Sequence, residues 1–430
     1  MKDKTHRIHL MKNFKPATGV WTFVPVMGLS LLTFSLSACG KTFTRYDLVY
    51  SRWTNPVEME ATEKMISRFE KQTGYKVKFI YADWGQYWEK LQTQLASNTG
   101  PDVFLLDPMY FHDFLKRGSL YDLTDKINPE LLLNMWKKGT SVFRYRGRLY
   151  ALPWNINVSF IYYNKDIFAA AGIHEPEPNW TLEDFIKTAQ KLTVPGKRYG
   201  YAISNVMEIC WGPWVWNFGG RIMDTETLTP HLTDPNTIKA FQFLVDLMTK
   251  YHAAPTPQRT ASLGDFPFKT GQVAMVSDGS WMIPDYAQSC SFDWDITLFP
   301  KVVKQTTSIN GVAHAINPKS KHIEVALKFI EFMNSYEAQE LLAKTQTSIP
   351  INKEVFEKIY MKLDNPKINR EIIRKAIEIS RPLPITPKMS RWAEHIMGKY
   401  LDLMFMGEIP VKDALMNANE EISRLFHQSS

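Results

Sequence analysis

The chain has 430 residues, 44% of them hydrophobic and 22% charged, with 51 Lys and Arg against 44 Asp and Glu for a formal net charge of +7. That length is too great for one comfortable core and implies two lobes. Five of the basic residues (Lys2, Lys4, Arg7, Lys12, Lys15) and one acid (Asp3) precede residue 39, so only +3 belongs to the body; this excludes a nucleic-acid binder, which needs a clustered basic face.

The chain opens on a leader. Lys12 and Lys15 precede a nearly uncharged run from Val20 to Leu36, which ends in Leu36-Ser37-Ala38-Cys39-Gly40. The run falls short of the ~20 predominantly apolar residues of a spanning helix, and a basic flank before a short apolar stretch is the pattern of a cleaved export signal. Met11 also precedes a basic flank and offers a second start site. The ending Leu-Ser-Ala-Cys resembles the lipobox of bacterial lipoproteins. That implies removal of residues 1–38 and acylation of Cys39; an uncleaved anchor, or a soluble leader with a chance cysteine, is the alternative. Each buried acyl methylene favours the bilayer by about 0.8 kcal/mol, so several chains anchor stably where one does not. Cys210 and Cys290 remain, at a separation that matches no metal pattern. Export permits a disulfide between them; two buried thiols is the simpler reading.

Leu48-Val49-Tyr50 leads to Trp53 as a strand, and Met59, Met65, Ile66 and Phe69 recur at near-helical spacing between Glu58 and Lys71. Gly74 stops that helix, Val77, Phe79 and Tyr81 alternate as a strand, and Tyr87, Leu91 and Leu95 repeat every four residues in the next helix. Val103 to Leu106 is a continuous apolar run, the signature of a strand buried on both faces. Strand alternating with helix predicts a parallel sheet with right-handed crossovers. Ligands in such sheets bind beyond the carboxyl ends of the strands, where Trp53, the turn Asp83-Trp84-Gly85-Gln86-Tyr87, and Asp107 all fall. A hairpin turned at Gly147 then runs into an extended stretch from Trp154 to Ser159, and a new helix begins near Thr181 or Asn179 as cap. Further helices are predicted over 237–251 and 322–334, with a mostly helical region from Ile351 that Pro382, Pro384 and Pro387 interrupt. No internal repeat or low-complexity tract is visible.

An ordered series of segments then resembles the family 1 extracellular solute-binding proteins of ABC importers, the group of maltose-, multiple-sugar- and glycerol-phosphate-ester-binding proteins. The segments are Phe69-Glu70-Lys71-Gln72-Thr73-Gly74, Gly100-Pro101-Asp102-Val103-Phe104, Tyr162-Tyr163-Asn164-Lys165-Asp166 with Ala171-Gly172-Ile173, Phe268 to Met275, Asp278-Gly279-Ser280-Trp281, and Ala315 to Ser320. The resemblance covers nearly all of residues 46–425. It implies a two-lobed periplasmic-binding-protein fold of class α/β, each lobe a mostly parallel sheet flanked by helices, joined by three crossover segments near Asn155, Ile309 to Val312 and Thr347 to Ile351. The first lobe would take 39–154 and 310–348, the second 155–309 and the C-terminal helical part 349–430. A solute would sit between the lobes, and closure around it would be read by a permease.

Sugar recognition needs flat apolar faces for the C–H side of a ring and planar polar groups for its hydroxyls. Thirteen tryptophans are generous for this. In Cys210 to Gly220, Trp alternates with Gly and Pro, an irregular start from which Trp211 or Trp214 can reach a cleft; a tryptophan-lined core helix is the alternative, and Trp216 reads as packing. Asn157, by the family pattern, points at ligand, with Asn155 beside it; either amide could instead satisfy hinge backbone groups. Asp107 could clamp hydroxyls or cap the next helix. Some sugar binders of the family carry a tryptophan in that loop where this chain has Leu106, so stacking must come from elsewhere. The resemblance brings Tyr87 to the ligand, although its spacing with Leu91 and Leu95 also suits the core, and makes Trp281 the stacking ring. Gly311 would let backbone amides approach the ligand closely, while Trp53 and Arg381 complete the candidate set.

Catalysis finds little support: G-x-S-x-G, H-E-x-x-H and a Walker loop are all missing from the sequence. The expected protein is therefore a monomeric, extracytoplasmic, lipid-anchored binder of a carbohydrate that needs no metal or cofactor and serves permease subunits with a separate ATPase. A glycerol phosphodiester or a polyamine is the alternative solute, and a surface enzyme acting on glycans is more remote.

Overall fold

The structure, a computed structural model, describes residues 46–264 and 266–427; the leader, Cys39 and its expected acylation lie outside the described residues. Strand β1 (Leu48–Trp53) passes through helix α1 (Pro56–Thr73) to β2 (Val77–Ala82), and through α2 (Trp84–Ala96) to β3 (Val103–Leu106). Both helices start on a side chain that accepts an otherwise unpaired amide, Asn55 from Glu58 N and Asp83 from Gln86 N. Gly74 ends α1 with φ 79°, the left-handed cap that glycine adopts without steric cost. Helix α3 (Pro108–Lys116) follows β3 directly, and the remaining strands of the two main sheets are β4 (Leu152–Pro153), β5 (Asn155–Asn164), β6 (Tyr199–Ala202), β7 (Val273–Gly279), β8 (Trp294–Thr297), β9 (Ser308–Asn310), β10 (Ala313–Ile316), β11 (Ile349–Pro350) and β12 (Arg381–Pro382).

The first sheet has five strands in the order β2-β1-β3-β10-β4, and the second has seven, ordered β12-β9-β5-β7-β6 with β8 and β11 also on β5. The two-lobed α/β architecture holds, and strand direction refines it. In the first sheet β1 pairs parallel with β2 and β3, but β10 runs antiparallel to β3. In the second, all ten residues of β5 are buried and its partners β7, β8, β9 and β11 run antiparallel to it; only β6 on β7 and β12 on β9 are parallel. The βαβ rhythm of the first hundred residues therefore does not extend to the second lobe, where β9 and β11 at the crossings and β7 and β8 from within the lobe all run against β5.

Three segments cross between the lobes side by side: β4 into β5 at Trp154, β9 into β10 at Gly311 and Val312, and Thr347-Ser348 into β11. Trp154 N donates to Val312 O at 2.9 Å. The Asn155 side chain bridges all three, its Oδ1 accepting from Val312 N at 2.9 Å while its Nδ2 donates to Ser348 Oγ at 2.8 Å. A Cβ on Gly311 would lie 2.1 Å from the Asn155 carbonyl oxygen, so only glycine lets the first two crossings touch.

The C-terminal region divides between the lobes. Helix Lys353–Lys358 packs on Tyr336–Thr345, which in turn packs on α1, and Phe356 meets Trp136 edge to face. Through these contacts the stretch sits with the first lobe rather than the second. Helix Val411–His427 packs on Pro235–Thr249 of the second lobe. Cys210 and Cys290 are both free thiols.

Candidate functional site

Where the crossings meet the carboxyl ends of β1 and β3, a cavity of about 300 Å³ opens between the lobes. Arg52, Trp53, Glu58, Trp84, Leu105 and Asp107 wall it from the first lobe, and Asn157, Glu208, Trp281 and Asn310 from the second, with Asn155, Val312, Thr347 and Ser348 on the floor. Of the residues predicted from sequence, Trp53, Asp107, Asn155, Asn157 and Trp281 are brought together here.

Trp53 closes β1 and is held edge-on by Trp84 at 5.0 Å and Tyr87 at 5.3 Å, with the Trp88 ring tilted against it at 5.3 Å. Its partner Trp84 is 42% exposed, a large apolar face left open at the cavity. Tyr87 stands behind this pair, 2% exposed, its hydroxyl donating to Leu105 O at 2.6 Å. It braces the aromatic wall and does not line the cavity. Trp281, from the second lobe, lies against Gly279: a Cβ there would come within 2.2 Å of its six-membered ring. Glycine at 279 thus sets the height of that ring.

Asp107 serves two ends. One carboxylate oxygen caps α3 by accepting from Met109 N at 2.8 Å, and the residue also lines the cavity. Burial pushes its carboxyl up to about 7, with the Glu394 carboxylate adding to the rise and the Met109 amide opposing it. Glu208 sits on a wide turn, Met207–Trp211, whose backbone is pinned where its carbonyl oxygen lies 2.9 Å from Ser159 Oγ and 2.6 Å from Ser308 Oγ. Burial drives its carboxyl well above the usual range, and the negative charges of Asp107 and Asp278 push further. Arg52, 1% exposed, is fully committed: it donates to Glu58 at 2.7 Å, Thr62 at 2.9 Å and the Trp53 carbonyl at 2.8 Å, and lies 4.7 Å over the Trp154 ring. Asn157 accepts from Ser280 Oγ at 3.1 Å, and its strand neighbour Asn310 has a buried Oδ1 without a partner.

Besides Tyr87, four predicted residues lie off the cavity wall. Trp211 and Trp214 are fully buried in the second-lobe core, with their indole N–H groups donating to Asn205 O at 2.9 Å and Tyr201 Oη at 3.2 Å. The wide turn ends at Trp211 and a regular helix, Gly212–Asn217, follows, so the alternative of a tryptophan-lined core helix holds and it is Glu208 that the turn sends to the cavity. Gly311 serves the contact with Asn155 described above. Arg381 lies 5.1 Å over the Trp216 ring, on the strand beside Ser308, and does not line the cavity.

Arg52, Glu58 and Glu208 were not singled out from sequence, while Trp84 was placed only within the turn at a strand end and Asn310, Thr347 and Ser348 only within the predicted crossings. Glu208 left a signal, as the lone charge in Val206-Met207-Glu208-Ile209-Cys210-Trp211. The others reach the cavity through pairings between distant segments.

Among the described residues no helix is long and apolar enough to cross a membrane, and no group of three or more His, Cys, Asp or Glu is placed to hold a metal ion.

The chain is similar to the diacetylchitobiose-binding protein of Streptomyces coelicolor, 27% identical over 391 residues that cover 84% of this chain and 85% of that one. It is similar as well to the multiple sugar-binding protein of Streptococcus mutans, 25% identical over 342 residues, 73% and 78% of the two chains. A solved ABC substrate-binding protein of Listeria monocytogenes, in complex with cycloalternan, superposes with a TM-score of 0.80 at 25% identity and covers 88% of this chain and 98% of its own. Residues 64–369 match the family described as bacterial extracellular solute-binding protein. A match over most of the length, together with two lobes walling one cavity, establishes that the chain belongs to the bacterial extracellular solute-binding proteins.

Proposed function

We propose that the chain captures a sugar or oligosaccharide reversibly between its lobes and delivers it to the permease of an ABC importer whose ATPase is a separate chain. The observation that carries this reading is the wall chemistry: the exposed faces of Trp53, Trp84 and Trp281 beside the planar polar groups of Asp107, Asn157, Glu208 and Asn310. Indole faces pack the C–H side of a pyranose, and amides and carboxylates accept from its hydroxyls. Relatives named for diacetylchitobiose and multiple sugars, and a neighbour solved with cycloalternan, support the same class.

Because both lobes wall the cavity, bound sugar favours whichever lobe arrangement contacts it more, and that bias is what a permease can read. The chain would act as a monomer without covalent chemistry, exported and tethered at the membrane by acyl chains on Cys39. A thermal-shift screen across neutral mono- and oligosaccharides tests the solute class, since a ligand that binds only the folded form raises the melting point by mass action. No shift with any carbohydrate at saturating concentration refutes it. A reducing-sugar release assay separates capture from hydrolysis, and mass measurement of the mature protein reads the acylation of Cys39.

A further inference from the structure

The cleft's uncommitted polar atoms are of one kind. Asp107 has one oxygen on Met109 N, and its other oxygen has no hydrogen bond among the described residues; the Glu208 carboxyl has none at all among them. Asn310, 8% exposed, lines the same cavity, and its buried Oδ1 has no hydrogen-bond partner among the described residues. All of these are acceptors once the acids ionise, and the two acids come from opposite lobes. Against them the described lining offers one cation, Arg52, which Glu58 already neutralises at 2.7 Å. The neighbouring charges are acidic as well: on top of burial, the Glu394 carboxylate raises Asp107 and Tyr110, and the Asp278 carboxylate raises Glu208.

We propose that the cleft selects its sugar by charge, preferring one that bears a protonated amino group seated between Asp107 and Glu208 over its neutral counterpart, and rejecting sugars that bear carboxylate or phosphate. This rests on the carbohydrate reading above and narrows it. An ammonium brings three donors and no acceptor, which suits a site short of donors. Its charge also offsets the penalty of holding two desolvated carboxylates, which a hydroxyl does only in part. An anion placed there meets like charge in a poorly solvated site with no free cation to receive it.

The experiment is calorimetric titration with charge-matched triplets on gluco, galacto and manno frames, each as free amine, N-acetyl amide and uronate, at neutral pH, where the sugar amine is still largely protonated and its charge, once seated, favours ionisation of both acids. On the frame that fits, the amine binds at least about tenfold tighter than the amide, as charge-assisted hydrogen bonds allow, and the uronate gives no heat. Glu208→Gln and Asp107→Asn, each checked for a cooperative melt, shrink the amine-to-amide ratio toward one. An amide that binds as tightly as the amine, a uronate that binds alongside it, or a ratio unmoved in both variants overturns charge selection and leaves the carbohydrate reading standing. Absence of binding by every sugar, whatever its charge, overturns both.

Discussion

Asn155→Ala should destabilise the protein by about 2–4 kcal/mol without changing its fold. The side chain is 2% exposed and makes two bonds, accepting from Val312 N at 2.9 Å and donating to Ser348 Oγ at 2.8 Å. Truncation strands the Val312 amide, in a residue only 8% exposed, which costs about 1–3 kcal/mol as an unsatisfied buried donor. Loss of the Ser348 bond adds about 0.5–1.5 kcal/mol. Ser348→Ala removes only the second bond and should cost visibly less. Urea unfolding at fixed pH reads both, with an unchanged m-value showing that the exposed surface is the same. The crossings remain otherwise held, since Trp154 N still donates to Val312 O and β11 still pairs with β5. A loss under about 0.5 kcal/mol for Asn155→Ala, or an equal loss for Ser348→Ala, would refute the view that one amide joins the three segments.

Gly279→Ala should weaken sugar binding about as much as Trp281→Ala, a loss of about 0.5–1.5 kcal/mol if the ring contributes like other aromatic stacks, because a methyl within 2.2 Å of the ring forces it out of place; calorimetry that finds Gly279→Ala neutral refutes this. Trp214→Ala should instead cost about 3–5 kcal/mol of stability as a core truncation and leave the affinity of the folded fraction intact, as unfolding and titration together would show. His314 is fully buried, bonded to Tyr50 Oη at 3.0 Å, and its imidazole is held down to about 3, first by burial and then by the Arg52 charge. The unfolded state gains a proton near pH 6.5 that the folded state refuses, so stability falls as pH drops from 6.5 toward 3, by roughly 1.4 kcal/mol per unit; the difference between wild type and His314→Gln should carry that slope. Asp107 has the opposite sign, because its raised folded value means stability is kept at low pH and lost as pH rises from about 4 to about 7. In the unliganded protein Asp107→Asn should therefore gain on wild type across that window, and a flat difference curve would remove the burial argument.

The first lobe was legible because its elements are local. A helical repeat from Met59 to Phe69, alternation at Val77, Phe79 and Tyr81, and the run Val103 to Leu106 each report their own burial, and strand ends in such a unit predict where a ligand sits. Trp53 and Asp107 were found that way, while Asn157 and Trp281 came from resemblance. The same local evidence was ambiguous for Tyr87, Trp211 and Trp214, since a ring at helical spacing looks alike whether it faces a core or a cleft; only the packed second lobe turned the two tryptophans inward and left Glu208 at the wall. Glu58 and Arg52 were silent because a charged pair near a strand end looks like surface until its burial is known. By itself, the amino-acid sequence predicted a leader and an α/β first lobe, because composition and periodicity are properties of neighbouring residues, and its ordered motifs carried the resemblance that implied a second lobe and a cleft between the two. The tertiary structure alone decided that Asn155 joins the three crossings and that Asp107 and Glu208 face one cavity, because these contacts join segments a hundred or more residues apart, and no local pattern encodes such meetings.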